Sequence, residues 1–194
     1  MNDFYFKDKF FIPSIRLKNW DYSSSGFYFV TICTYQKQCF LGEIINGKMK
    51  LSKIGEIVYQ EWINTKQIRK NIDLDEFIIM PNHLHGIIVI KNKLNVKINK
   101  YQFNVETSRR DVSTIKNIFK LKPNSLGSII GQFKSKTTKK IHNLGYLNFH
   151  WQSRFWDHII RNEKSLNEIR QYIKNNPLKW AEDEENPKNQ QNHL

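Results

Sequence analysis

Two histidines, His83 and His85, stand one residue apart in the segment "MPNHLHGIIVI", which covers residues 80–90. Side chains two positions apart on a β-strand point to the same face, so the two imidazoles are expected to lie side by side. A pair of neutral imidazole nitrogens is suited to one divalent metal ion. Two histidines that bond to backbone groups at a strand end are the alternative, and the short pattern alone leaves both interpretations open.

The surroundings of the pair favour a functional site. It follows a Pro81-Asn82 break, opens an apolar run and belongs to a strongly basic chain. A metal site would need a third oxygen or nitrogen ligand from elsewhere in the fold. Two other histidine-based classes fit poorly. Nucleotide hydrolases of the histidine-triad type need a third alternate histidine where this chain has Ile87, and two-histidine phosphoesterases need two separate His-x-Ser/Thr motifs.

A candidate nucleophile lies near the carboxyl end, in the predicted helix "EIRQYIKNNP". Tyr172 and Asn176 are four residues apart and therefore share one helix face. A phenol has an ordinary pKa of about 10, so it attacks phosphorus only when a metal, a base or a positive field stabilises the phenolate. A boundary tyrosine and a helix-ending asparagine are the structural alternatives. The sequence contains no P-loop, serine nucleophile elbow or glycine-rich dinucleotide turn.

The chain has 194 residues, which is enough for one well-buried core, and its 31 Lys+Arg against 18 Asp+Glu give a net charge of +13. Such an excess favours a polyanionic partner, and nucleic acid is preferred over a membrane surface. The sequence has neither a secretory signal pattern nor an apolar run of about 18 residues, and its two cysteines are too few for a disulfide framework. These features predict a cytoplasmic, nucleoid-associated protein.

The apolar periodicity predicts strands at 27–35, 74–80, 83–91 and 154–161 and a hairpin around Asn46-Gly47. It also predicts helices from Leu51, over 125–141 and after Asn162. This order indicates an α+β fold in which helices cover one face of an antiparallel sheet. The predicted organisation is a basic arm at 1–26, one catalytic domain at 27–180 with a basic insertion loop at 92–122, and a disordered tail at 181–194.

Positive and aromatic side chains outside the histidine strand are candidates for DNA contacts. Lysine and arginine can follow phosphates, and tryptophan can stack on unpaired bases, although core packing is the more frequent role of a tryptophan. The predicted DNA-binding residues are Arg16, Lys18, Lys134, Lys136, Lys139, Lys140, Trp151 and Arg154.

Four segments in order carry a resemblance to a known family: "SIRLKNWDYSSSGFYFVTICT", "LDEFIIMPNHLHGIIVI", "LGSIIGQFKSKTTKKI" and "WQSRFWDHIIRNEKSLNEIRQYIKNNPLKW". Together they resemble the single-tyrosine HUH transposases of the insertion-sequence-200-like family, and within these the REP-associated tyrosine transposases. The resemblance implies a ferredoxin-like βαββαβ sandwich, an antiparallel sheet with helices on one face and an additional C-terminal helix carrying the tyrosine. It also implies that Tyr172, His83 and His85 are catalytic.

The metal ligands implied by the resemblance are His83, His85 and the polar residue one turn after the tyrosine. That residue is often glutamine in the family and is Asn176 here, with Asn175 as the neighbouring alternative. The implied activity is nicking and strand transfer of single-stranded DNA beside a hairpin, with Mg²⁺ or Mn²⁺, a covalent 5′-phosphotyrosine intermediate and no nucleotide cofactor. A monomer or homodimer is expected. The alternative is a domesticated protein that binds DNA hairpins with little or no cleavage.

Overall fold

The computed structural model describes Leu17, residues 20–91 and residues 122–189. The strands are β1 Gly26–Cys33, β2 Gly42–Ile45, β3 Lys48–Leu51, β4 Ile72–Ile79, β5 His83–Ile90 and β6 Trp156–Ile160, and the α-helices are α1 Lys53–Ile68, α2 Leu126–Asn143 and α3 Glu163–Asn175. Short 3-10 helices cover Tyr35–Lys37 and Asn176–Glu182.

The main sheet has four strands in the order β4-β5-β1-β6, and every neighbouring pair is antiparallel. Helix α1 connects β1 to β4 by way of the β2–β3 hairpin, and α2 connects β5 to β6. This arrangement is the βαββαβ ferredoxin-like sandwich, and it confirms the predicted fold class. Because β5 is a central strand, its first residues face neighbouring elements on both sides.

One face of the sheet packs against α1 and α2 and forms the larger hydrophobic core. Val30, Leu84 and Ile88 point into this core, together with the fully buried Trp62 of α1. Gly86 permits the close approach of the helix, because a Cβ atom at this position would lie 2.6 Å from the Trp62 ring. A side chain there would push α1 away from the strand that carries the histidines.

The opposite face packs against α3. Phe29, Ile87 and Ile160 on the strands meet an apolar stripe on the helix. The stripe consists of Leu166, Ile169 and Ile173, and their spacing of three and four residues places them on one side of α3. The helix therefore lies on the sheet face that also displays His83 and His85.

Local sequence signals set the element boundaries. Asn46 and Gly47 both adopt positive φ angles, 50° and 71°, as a tight two-residue hairpin turn requires. Helix α1 begins at Lys53 instead of the predicted Leu51, because Leu51 pairs with Gly42 at the end of β3. The Ser52 side chain caps the helix by accepting a hydrogen bond from the Gly55 amide.

The prediction of a disordered tail from residue 181 differs from the structure over 181–189, which fold back against the body of the protein. The Asn186 side chain donates to the Trp180 carbonyl at 2.9 Å and accepts from the Lys188 amide at 3.1 Å. Lys37 and Glu185 form an ion pair at 3.1 Å. The polar composition predicted disorder, but here the polar groups bond to one another and to Lys37, shortly after β1. Residues 190–194 lie outside the described residues.

The other predicted segments are described only in part. Most of the basic arm at 1–26 and residues 92–121 of the insertion loop lie outside the described residues. Where the chain resumes, Lys122 forms an ion pair with Asp21 at 2.7 Å. None of the helices in the described residues combines the length and the apolar character needed to cross a membrane.

Candidate functional site

The two histidines lie at the N-terminal end of β5, on the sheet face that α3 covers. His83 is fully buried, His85 is 4% exposed, and their ring centroids are 4.4 Å apart. On the adjacent strand β1, Cys33 is opposite His83 and Thr31 is opposite His85. The predicted shared face is therefore present in the structure.

The His83 ring contacts the side chain of the residue before it. His83 Nδ1 lies 2.9 Å from Asn82 Oδ1, while His83 Nε2 is buried and has no hydrogen-bond partner in the described part of the chain. Burial, followed by the proximity of His85, holds the pKa of His83 well below its ordinary value. His83 is therefore a neutral imidazole with one buried nitrogen facing the site.

His85 connects the strand to the tyrosine. Its Nδ1 lies 2.9 Å from Thr31 Oγ1, and its Nε2 lies 3.2 Å from the Tyr172 hydroxyl. The Phe29 ring stacks on His85 at 5.4 Å and meets Tyr172 edge-on at 6.1 Å. Burial lowers the pKa of His85 to about 3, so this ring is neutral as well. Tyr172 and His85, which are 87 residues apart in sequence, thus meet in one site.

Helix α3 places Tyr172 beside His85. The Asn162 side chain caps the helix by accepting from the Ser165 amide at 2.8 Å. Burial raises the pKa of Tyr172 above its usual value, and the nearby Asp183 carboxylate raises it further. Without an added positive charge, the phenol therefore keeps its proton at neutral pH.

Asn176 follows the last turn of α3 and lies in the same site. It is 3% exposed, and its side chain hydrogen-bonds with Tyr172 and Asp183. Its Oδ1 is buried and has no hydrogen-bond partner in the described residues. Asn175, the alternative ligand, is exposed. Burial raises the pKa of Asp183, whose carboxyl group hydrogen-bonds with Asn176. Of the two neighbouring asparagines, Asn176 is the one that faces the site.

These groups fit a divalent cation by their chemistry. Two buried atoms that can donate a lone pair, His83 Nε2 and Asn176 Oδ1, have no hydrogen-bond partner within the described ranges. A third such atom, His85 Nε2, lies against the Tyr172 hydroxyl. Buried polar atoms without partners are rare in folded proteins. Among the described residues, no group of three or more His, Cys, Asp or Glu side chains is arranged as a metal site. A third ligand to this pair would accordingly be an amide oxygen.

The predicted DNA-binding residues of α2 fall on two sides of the helix. Lys139 and Arg154 line an open groove between the second half of α2 and the loop at 150–154. Lys140 instead forms an ion pair with Glu61 of α1, and Lys136 lies beside the same carboxylate. The lysines predicted as one DNA-binding group therefore lie on different sides of α2: Lys139 at the groove, and Lys136 and Lys140 toward α1.

The two remaining described candidates have structural partners. The Lys134 ammonium donates to the carbonyl oxygens of Gln152 and Arg154, and burial lowers its pKa to about 8. The Trp151 ring is half-buried and lies 5.1 Å from Phe149 between centroids, nearly perpendicular to it. Both side chains help to hold the wall of the groove. Arg16 and Lys18 lie outside the described residues.

Sequence reasoning missed the side chains that orient the site. Asn82 was interpreted only as a strand break, and its place directly before His83 was the available signal. Thr31 gave no signal, because its contact with His85 depends on the pairing register of β1 and β5. The pairing of Asp75 with Arg170, two hydrogen bonds of 2.8 and 2.6 Å that tie α3 to β4, was also not predictable from spacing.

Comparison with known proteins identifies one close relative in sequence. A protein of Haemophilus influenzae, recorded as an uncharacterized protein, is 40% identical over 171 residues, which are 88% of this chain and 91% of the relative. No family model matches the chain. Among solved structures, the REP-associated tyrosine transposase bound to a REP hairpin has a TM-score of 0.54 and 19% identity, covering 87% of this chain and 74% of that chain. The structural match supports the fold, and the sequence match shows that the chain belongs to the same family as the Haemophilus influenzae protein.

Proposed function

We propose that the protein is a single-tyrosine HUH transposase of the REP-associated type, which nicks and rejoins single-stranded DNA next to a hairpin. The observation that carries the proposal is the 3.2 Å contact between the Tyr172 hydroxyl and His85 Nε2, beside the buried Nε2 of His83. A phenol placed against two neutral imidazoles combines a nucleophile with a cation site. One solved structure with a similar fold is that of a REP-associated tyrosine transposase bound to a REP hairpin.

His83, His85 and Asn176 would hold the cation. A bound Mg²⁺ or Mn²⁺ supplies Lewis-acid stabilisation of charge on a phosphate oxygen and of the phenolate. His85 Nε2 lies against the Tyr172 hydroxyl in this structure and would give its lone pair to a bound cation. The acidic side chains of Asp183, Glu184 and Glu185 add negative charge near the tyrosine, which favours a cation there.

The reaction proposed for Tyr172 is a transesterification. Its oxygen forms a bond to phosphorus while the bond from phosphorus to the 3′ oxygen breaks, and the released 3′ oxygen ends as a hydroxyl. The phenolic proton leaves Tyr172 as the ester forms, so one proton is lost and one is gained. Phe29 fixes the ring from the side and His85 fixes the hydroxyl. Because the phosphotyrosine ester retains the energy of the phosphodiester, the reverse step needs no nucleotide cofactor.

The test is incubation of the protein with DNA that carries a hairpin and an adjoining single strand, labelled at either end, in the presence of Mn²⁺. We expect a covalent protein–DNA band on denaturing gels, with the label retained only when it lies on the 3′ side of the nick. EDTA and the Tyr172→Phe variant should each abolish the band while the variant still binds DNA. DNA binding without any adduct under these conditions would favour a domesticated binding protein instead.

A further inference from the structure

Asn82 lies in the turn between β4 and β5 and is completely buried. Its Nδ2 donates to two backbone carbonyls, that of Lys37 at 2.9 Å and that of Glu185 at 2.6 Å. Carbonyl oxygens only accept hydrogen bonds, so the amide nitrogen must face both of them. A rotated amide would bring its own oxygen against two acceptors in a buried place. The orientation of Asn82 is thereby fixed from two segments that are far apart in sequence.

This orientation leaves Asn82 Oδ1 facing His83 Nδ1 at 2.9 Å. An amide oxygen is an acceptor only, so Nδ1 must carry the ring proton. A buried N–H without an acceptor is costly, so Nδ1 carries the single N–H of the ring and Nε2 bears a lone pair. That nitrogen is buried and without a hydrogen-bond partner in the part of the chain that the structure describes.

We infer that Asn82 is a positioning residue that fixes the Nδ1–H tautomer of His83 and so keeps the Nε2 lone pair directed into the site for a divalent cation. The part of this inference that concerns the cation rests on the proposed function, whereas the tautomer does not. The opposite tautomer would place an N–H where a ligand atom is needed. Partners of this kind raise metal affinity by about 10–100-fold in proteins.

The first test is the tautomer of His83 in metal-free, DNA-free protein, read from the ¹⁵N shifts of its ring nitrogens. His83→Gln identifies the signals by their disappearance. We expect a protonated, pyrrole-type Nδ1 and an unprotonated, pyridine-type Nε2. In Asn82→Leu, which has neither the acceptor oxygen nor the N–H donors of the amide, the fixed pattern should be lost. A protonated Nε2 in the unaltered protein would overturn the inference.

The second test is the affinity for Mn²⁺ alone, measured by calorimetry. Asn82→Leu should bind about 10–100-fold more weakly than the unaltered protein. Thr137→Val is the control, because Thr137 is also a completely buried polar residue, but its hydroxyl donates to the Phe133 carbonyl within α2, on the other side of the sheet from the site. An equal loss in this control, or no loss in Asn82→Leu, would contradict the positioning role. A site that shows the expected tautomer and Mn²⁺ affinities but forms no DNA adduct would refute the proposed function and leave this inference standing.

Discussion

At the scale of single residues, the site is defined by neutral rings in a buried place. Burial excludes water from His83 and His85 and lowers the pKa of each ring, so neither carries charge at physiological pH. The same burial raises the pKa of Tyr172. The three side chains therefore form a neutral constellation that becomes reactive only when positive charge is added, which is why a cation is central to the proposed function.

This burial predicts a pH dependence of stability. The unfolded chain protonates His85 near its ordinary pKa of 6.5, whereas the folded protein does not until about pH 3. Between these values the unfolded state binds more protons, so the free energy of unfolding should fall as the pH falls below about 6.5. The slope should approach about 1.4 kcal/mol per pH unit for each such histidine. Urea unfolding followed by circular dichroism at several pH values measures it.

The variant His85→Gln should show a shallower slope over the same pH range. An unchanged slope in His85→Gln would mean that this ring is protonated in the folded protein, contrary to its burial.

At the scale of elements, α3 is attached to the sheet by apolar packing and by charge. Arg170 makes two hydrogen bonds to Asp75, and Lys174 pairs with Glu76 at 3.2 Å. The two acidic residues lie where the register between β4 and β5 shifts, between Leu74 and Phe77. This irregularity in the strand presents both carboxylates to α3, and the helix in turn holds Tyr172 over His85.

Breaking the Arg170–Asp75 pair should loosen the tyrosine helix. Because Arg170 is about a third exposed, the loss in Arg170→Gln should be modest, about 1 kcal/mol in the free energy of unfolding. The rate of DNA adduct formation should fall as well, since the nucleophile is less well placed. The double exchange Asp75→Arg with Arg170→Asp should recover part of both losses.

Lys174→Gln is the control for this prediction, because the Lys174–Glu76 pair is more exposed and has a single contact. It should change stability and adduct formation less than Arg170→Gln. If the two variants behave alike, the paired hydrogen bonds of Arg170 have no special role in placing the helix.

The elements themselves were largely predictable, and their contacts were not. Apolar periodicity located all three helices and the four strands of the main sheet to within a few residues, and Asn46-Gly47 marked the hairpin. The meeting of Tyr172 with His85 followed only from resemblance, because no spacing rule joins residues so far apart in sequence. The folded-back segment at 181–189 was missed, since a polar composition conceals side chains that cap turns, as Asp183 does for the Glu185 amide.

Across the whole molecule, the positive side chains that give the net charge of +13 differ in what they contact. Lys140 is neutralised by Glu61, and the ammonium of Lys134 bonds to backbone carbonyls. Lys139 and Arg154 remain exposed along the open groove beside α2. The structure thus separates cations that stabilise the fold from cations available for phosphate contacts.

This separation predicts which lysines matter for DNA. The double variant Lys139→Gln with Arg154→Gln should weaken binding of hairpin DNA and reduce the slope of log affinity against log salt by about 0.9 for each lost phosphate contact. Lys136→Gln, an exposed lysine on the other side of the same helix, should leave both quantities unchanged. Fluorescence anisotropy across a salt series measures both quantities. Equal effects of the double variant and of Lys136→Gln would mean that the groove has no special role in DNA binding.

The proposed function depends above all on Tyr172 being the nucleophile beside the histidine pair. The most direct measurement is mass spectrometry of peptides from protein incubated with hairpin DNA and Mn²⁺, which locates any covalently attached nucleotide. Our account predicts that the nucleotide is carried by Tyr172, and that His83→Ala and His85→Ala greatly reduce the modified peptide. Attachment to another residue, such as the exposed Tyr146, or full modification in the absence of both histidines, would contradict it.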